Sequence, residues 1–196
     1  KARAFDGELY TNHDVKRGLR DSNGNGVVTG LTEISDVVGS KIVDGKKVPT
    51  DGNLYYQGYN VSELIQGSRD SFYGFEEVTY LLLFGSLPTK SQLKSFIGIL
   101  ADLSELSGDF IRDVIMKAPS ANIMNSMMKS ILNLYSYDGN PDDISVSNVL
   151  RQSLQMIAKM PLIAAYSYQA YGHFRLDQNM IIRNRSKDYS TAQNLL

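Results

Sequence analysis

No cysteine occurs among the 196 residues, which excludes a disulfide framework, a thiolate nucleophile and cysteine-based zinc or iron–sulfur ligation. Histidine is nearly as scarce. His13 in TNHDVK and His173 in YGHFRL are the two present, too few for a metal site of clustered histidines, and each reads as a surface or packing residue. Neither sign of charge is in excess: 20 basic and 21 acidic residues leave a net charge of -1. No broad field therefore steers the chain toward nucleic acid or an anionic membrane. Apolar runs of the roughly 18 residues needed to span a bilayer are missing, and the opening KARAFDGELYTNHD lacks the apolar stretch of a signal peptide. The expectation is a cytoplasmic protein with no nucleic-acid and no membrane partner. Also missing are a Gly-x-Ser-x-Gly elbow, a phosphate-cradling Gly-x-x-x-x-Gly-Lys-Ser/Thr loop and a His-Glu-x-x-His helix. The chain begins at Lys1 and stops within AQNLL, an apolar helical pattern without a stop signal, so it reads as a piece of a longer protein.

What is present is enough apolar material, 42% of residues, for one domain with a real core. Near the start, GLRDSNGNGVVTG (18–30) carries Gly18, Gly24, Gly26 and Gly30 and reads as a turn-rich loop. Asp21, Asn23, Asn25 and Gly26 open like a calcium loop, but its twelfth position falls on Thr32 with Glu33 one place late, so the bidentate carboxylate is misplaced. A dinucleotide fingerprint begun at Gly24 and Gly26 would need its third glycine at Thr29, and no hydrophobic strand precedes it. From Ile34 to Tyr56, β-branched residues surround Asp44-Gly45 and Asp51-Gly52, and Asp-Gly between short strand-like runs favours tight turns, so a small hairpin is expected.

After Tyr59 the pattern becomes helical. Asn60 and Glu63 stand as a capping pair, Gly74 precedes FEEVTYLLLFG with Gly85 as its stop, and Thr89 with Gln92 forms a capping box ahead of Leu93, Phe96, Ile97 and Leu100. A short helix is expected around Phe110 to Met116. Ile123, Met124, Met127, Met128, Ile131 and Leu134 then recur on one face. Past the DGNPDD turn, a stripe from Val146 to Ala165 marks the longest helix, with Pro161 bending it. The methionines between Met116 and Met128 read as core or subunit interface. The adjacent carboxylates Glu76 with Glu77 and Asp142 with Asp143 are accounted for by helix dipole and solvation, and RNRSK (183–187) reads as a solvated basic loop. The fold class is thus all-α, mainly helical, with a small amino-terminal β-hairpin. The expected division is residues 1–60 as loop and hairpin and 61–196 as the helical part.

Four segments in order, GLRDSNGNGVVTGLTEIS, DGNLYYQGYNVSEL, FEEVTYLLLFGSLPT and IAKMPLIAAYSY, resemble the citrate synthase family, bacterial type, from about Gly18 to the last leucine. Phe75 to Thr89 follows that family's pattern nearly residue for residue. The resemblance implies the amino-terminal half of an enzyme that condenses acetyl-CoA with oxaloacetate to give citrate and CoA. Residues 61–196 would then belong to the large, dimer-forming domain, with the catalytic second half absent. It implies a homodimer through helices around 123–135 and 145–170, acetyl-CoA as substrate rather than a permanently bound cofactor, and no metal. The family's catalytic histidines sit in motifs such as Gly-Pro-x-His-Gly-Gly, which has no counterpart here, so no catalytic residue is assigned. Arg20 matches an arginine that approaches the CoA phosphates in related enzymes; a structural ion pair is its other reading. At Gln57 the chain departs from the family, whose strand commonly reads Tyr-Arg-Gly-Tyr. The alternatives are a 2-methylcitrate synthase using propionyl-CoA and a non-catalytic helical dimerisation module.

Overall fold

A computed structural model describes residues 6–13, 15, 18, 19, 27, 28 and 30–196. The chain divides into two compact units, Lys1–Gln66 with Leu81–Ser86 and Gly67–Tyr80 with Leu87–Leu196.

The first unit holds a short helix α1 (Gly7–Asn12) and a three-stranded antiparallel sheet of β1 (Ser35–Val43), β2 (Lys46–Tyr56) and β3 (Tyr59–Asn60), in the order β1-β2-β3. Asp44 and Gly45 make the β1–β2 turn with both φ angles positive, 50° and 74°, the geometry that matches the twist of paired strands. Asp51-Gly52 is not a turn. It lies inside β2, where the register slips from Ser40↔Pro49 to Val38↔Asn53, and Asn53 Nδ2 donates to the Asp51 carbonyl at 3.1 Å. The expected hairpin thus closes at the first Asp-Gly, and the second forms an irregularity in the longer strand. A second tight turn at Gln57-Gly58, φ 49° and 85°, leads into β3, and the Gln57 N–H donates to the Ile34 carbonyl at 2.8 Å. Gln57 therefore occupies a left-handed turn position. Asn60 Oδ1 then accepts from the Ser62 N–H at 2.9 Å and starts α2 (Val61–Gly67).

Helix α3 (Gly74–Phe84) ends at Gly85, whose φ of 82° suits glycine. In the second unit α4 (Lys90–Leu103) begins at the expected capping box: Thr89 Oγ1 accepts from the Gln92 N–H and Gln92 Oε1 accepts from the Thr89 N–H. The short helix expected near Phe110 is α5 (Gly108–Phe110), running on into a π-helical stretch, Ile111–Met116. Helices α6 (Ile123–Leu134), α7 (Val146–Leu176) and α8 (Thr191–Leu195) complete the unit. Pro161 lies inside α7, where it removes one backbone donor from the helical ladder. The core gathers Leu106, Phe110, Val114, Ile115, Ile163, Tyr166 and Ala170, with α4 and α6 both packed on α7. The mainly helical class with a small β element is as the sequence predicts. Among the described residues no helix is long and apolar enough to cross a membrane.

Candidate functional site

Helix α6 is capped by Asn122, whose side chain accepts from the Asn125 N–H at 3.2 Å. The residues it buries most deeply are polar: Ser126 is 5% and Ser130 0% exposed. Small side chains allow close approach, and their hydroxyls are satisfied locally. Ser130 Oγ donates to the Ser126 carbonyl at 2.9 Å, and Ser126 Oγ accepts from the Ser120 N–H at 3.3 Å. Met127 and Leu134 pack against the core cluster. Met124, Met128 and Leu132, spaced by four, stand 63%, 54% and 77% exposed, and Tyr135 continues the row. The expected single stripe is therefore two rows, one facing the core cluster and one facing outward. An amphipathic helix has one apolar face and one polar face; a helix apolar on both is built to be covered on both.

The turn from α6 to α7 is fixed by a polar network. Arg151 Nη2 donates to both Asp138 oxygens at 2.7 and 2.9 Å, its Nε to Asn148 Oδ1 at 2.8 Å, and Gln152 Nε2 adds a bond to Asp138 at 3.2 Å. Asn148 in turn donates to the carbonyls of Asn140 and Asp143. The Asn140 backbone N–H first, then Arg151 and Gln152, hold the Asp138 carboxyl below its ordinary range. The backbone N–H and hydroxyl of Ser145 do the same for Asp143. This network borders a cavity lined by Ile131, Leu134, Tyr137, Gln155 and Lys159; burial lowers the Lys159 ammonium, with the Asp138 charge opposing.

Two expectations about charged residues need correction. Glu76 stands with Glu77 in the first turn of α3, where the dipole reading puts it, but it is not solvated: it is 1% exposed, with Oε1 accepting from the Thr191 N–H at 2.8 Å. Its Oε2 is buried without a hydrogen-bond partner among the described residues. Nor is RNRSK simply a solvated loop, because Arg185 Nη1 donates to the Leu100 carbonyl at 3.0 Å and to Ser104 Oγ at 2.9 Å. Burial lowers its guanidinium, which the Glu76 charge partly offsets. Both contacts join residues far apart in sequence, so no local signal announces them. Arg20 and the glycine-rich residues 21–26 lie outside the described residues. His13 is exposed at the end of α1, whereas His173 Nδ1 meets the Gln178 carbonyl at 2.9 Å near the end of α7. Among the described residues no group of three histidine, aspartate or glutamate side chains is placed to hold a metal.

The model of the citrate synthase C-terminal domain matches residues 22–196. The citrate synthase of Corynebacterium glutamicum is 30% identical over 148 residues, covering 74% of this chain and 30% of that protein. The 2-methylcitrate synthase 1 of the same organism is 26% identical over 151 residues, 77% of this chain and 34% of that protein. In three dimensions the crystal structure of citrate synthase from Pyrobaculum aerophilum superposes with a TM-score of 0.67 at 26% identity, over 90% of this chain and 42% of that one. The chain thus spans about a third of the length of these curated relatives.

Proposed function

The chain belongs to the citrate synthase family, and on that premise we propose that it is the amino-terminal half of an enzyme condensing acetyl-CoA with oxaloacetate to citrate and CoA. The observation that carries this reading is the family match along residues 22–196, which takes in every element from β1 to α8. The amino-terminal placement rests on the order of the four sequence segments, which precede the histidine motifs in the resembling enzymes.

In this reading residues 1–60 are a loop and sheet segment and 61–196 the helical part of the large domain, while the reacting groups lie in the other half. His13 and His173 take no catalytic role. The outward row of Met124, Met128, Leu132 and Tyr135 on α6, with the exposed Val146, Val149 and Tyr168 on α7, supports a self-complementary homodimer contact of helices around 123–135 and 145–170. Arg20 supplies a guanidinium to the CoA phosphates through charge and forked donors. Acetyl-CoA is a substrate, no cofactor is held permanently, and the enzyme acts in the cytoplasm. The 26% identical 2-methylcitrate synthase supports a second reading in which propionyl-CoA is the thioester.

Thiol release from acetyl-CoA with oxaloacetate, run on this chain and on a full-length protein containing it, tests the proposal, with propionyl-CoA in parallel. Turnover by the full-length protein alone supports it, and the preferred thioester chooses between the two chemistries. Turnover by this chain would overturn the scaffold assignment, and a folded but inactive full-length protein would make this a helical dimerisation module.

A further inference from the structure

Residues 177–190, between α7 and α8, have almost no regular structure, yet they are fastened along their length. Tyr166, Gln169 and His173 share one face of α7, and each takes a backbone group of the segment. The Tyr166 hydroxyl donates to the Arg183 carbonyl at 3.0 Å, Gln169 Oε1 accepts from the Ile181 N–H at 3.3 Å, and His173 Nδ1 meets the Gln178 carbonyl at 2.9 Å. A carbonyl only accepts, so Nδ1 carries the proton. The segment therefore runs back antiparallel to α7. Its start is tight: a Cβ on Gly172 would lie 2.6 Å from Gln178 Oε1. Farther on, Arg185 reaches Leu100 and Ser104, and Lys187 pairs with Asp102 at 2.7 Å. The Thr191 N–H then meets Glu76 on α3. Ile182 packs against the core cluster, but the other named ties are polar.

Glu76 is the unusual member. A carboxylate at 1% exposure with one oxygen unpartnered costs free energy wherever it is not matched by an opposite charge. The guanidinium of Arg185, on the segment itself, is tied to α4 at Leu100 and Ser104, and its charge is favoured by that of Glu76 without direct contact in the described hydrogen bonds and ion pairs. We propose that residues 178–190, with the first turn of α8 at Thr191, are a strap latched by the charge of Glu76, opening as one unit while the core of α4, α6 and α7 stays folded. Segments held by polar ties rather than apolar burial open at lower free energy than the core.

Native-state hydrogen exchange on the chain, titrated with denaturant, tests this. The amides of Ile181 and Thr191 are expected to exchange through one shared opening, well before that of Ile163 in the core. Glu76→Gln keeps an acceptor for Thr191 but removes the charge. It should accelerate both amides together by about tenfold to a hundredfold, leaving the Ser130 amide unchanged. Arg185→Met should do the same, and the double variant should recover part of the loss because neither charge is left alone. Independent openings of Ile181 and Thr191, their exchange only through global unfolding, or unchanged rates in Glu76→Gln would each overturn the proposal.

Discussion

Helices α4 and α6 are of similar length, each starts at a side-chain cap, and each packs on α7, yet they use apolar residues in opposite ways. Helix α4 buries Phe96, Leu100 and Ala101 and turns Gln92, Lys94 and Ser95 to solvent. Helix α6 buries Ser126 and Ser130 and turns Met124, Met128 and Leu132 outward. The first helix leaves one large apolar side chain, Ile99, exposed. The second carries more apolar surface than this chain covers, which is what the proposed homodimer contact would bury.

Unfolding measurements give the largest contrast. Phe96 is 3% exposed and meets Tyr80 edge to face at 5.4 Å, so Phe96→Ala should cost about 3–5 kcal/mol in urea denaturation. Leu132→Ala, at 77% exposure, should change the stability of the dilute monomer by less than about 0.5 kcal/mol. Equal losses would mean that Leu132 on α6 is already covered within the chain.

Association is the next test. Leu132→Glu places a charge where the homodimer reading requires desolvation, and it should weaken self-association by about a hundredfold or more in sedimentation equilibrium. Ser95→Glu on the solvent face of α4 serves as its control and should leave association unchanged. A dimer indifferent to Leu132→Glu would remove α6 from the interface.

How far this contrast was legible in the sequence depends on the range of the interactions. The capping box at Thr89, the glycine stop at Gly85 and the turn at Asp44-Gly45 are set by residues a few positions apart, and the structure has them where the pattern puts them. Periodicity placed the apolar residues of α6 on a helix but could not divide them into two rows, because that depends on which of them the rest of the fold covers. Glu76 and Thr191 are 115 residues apart, and Arg185 and Leu100 are 85 apart. Hydropathy alone reads such groups as solvated. The π-helical stretch at Ile111–Met116 likewise has no local signature that separates it from an α-helix.

Acid acts on the turn between α6 and α7. The Asp138 carboxyl is held below its ordinary range by the Asn140 N–H, Arg151 and Gln152. Its contribution to stability is therefore present above the unfolded carboxylate value near 3.9 and is lost as pH falls through the lower folded value. Asp138→Asn should flatten this part of the acid limb, read as the urea midpoint between about pH 5 and pH 3. Arg151 is 36% exposed, so the effect should shrink in high salt. An unchanged acid limb would show that the turn leading into α7 owes nothing to the ionised carboxylate.

The smallest effect concerns what the two helices have in common. Thr89 caps α4 through Oγ1 to the Gln92 N–H, and Asn122 caps α6 through Oδ1 to the Asn125 N–H. Alanine at either position strands one backbone donor, so each substitution should cost about 1 kcal/mol in thermal or urea unfolding. Neither should alter self-association, since both caps act within their own first turn while the outward row on α6 begins at Met124 and extends past it. If Asn122→Ala weakened the dimer and Thr89→Ala did not, the orientation of the first turn of α6 would itself be part of the contact. The apolar excess would then be only half of the reason that α6 needs a second surface.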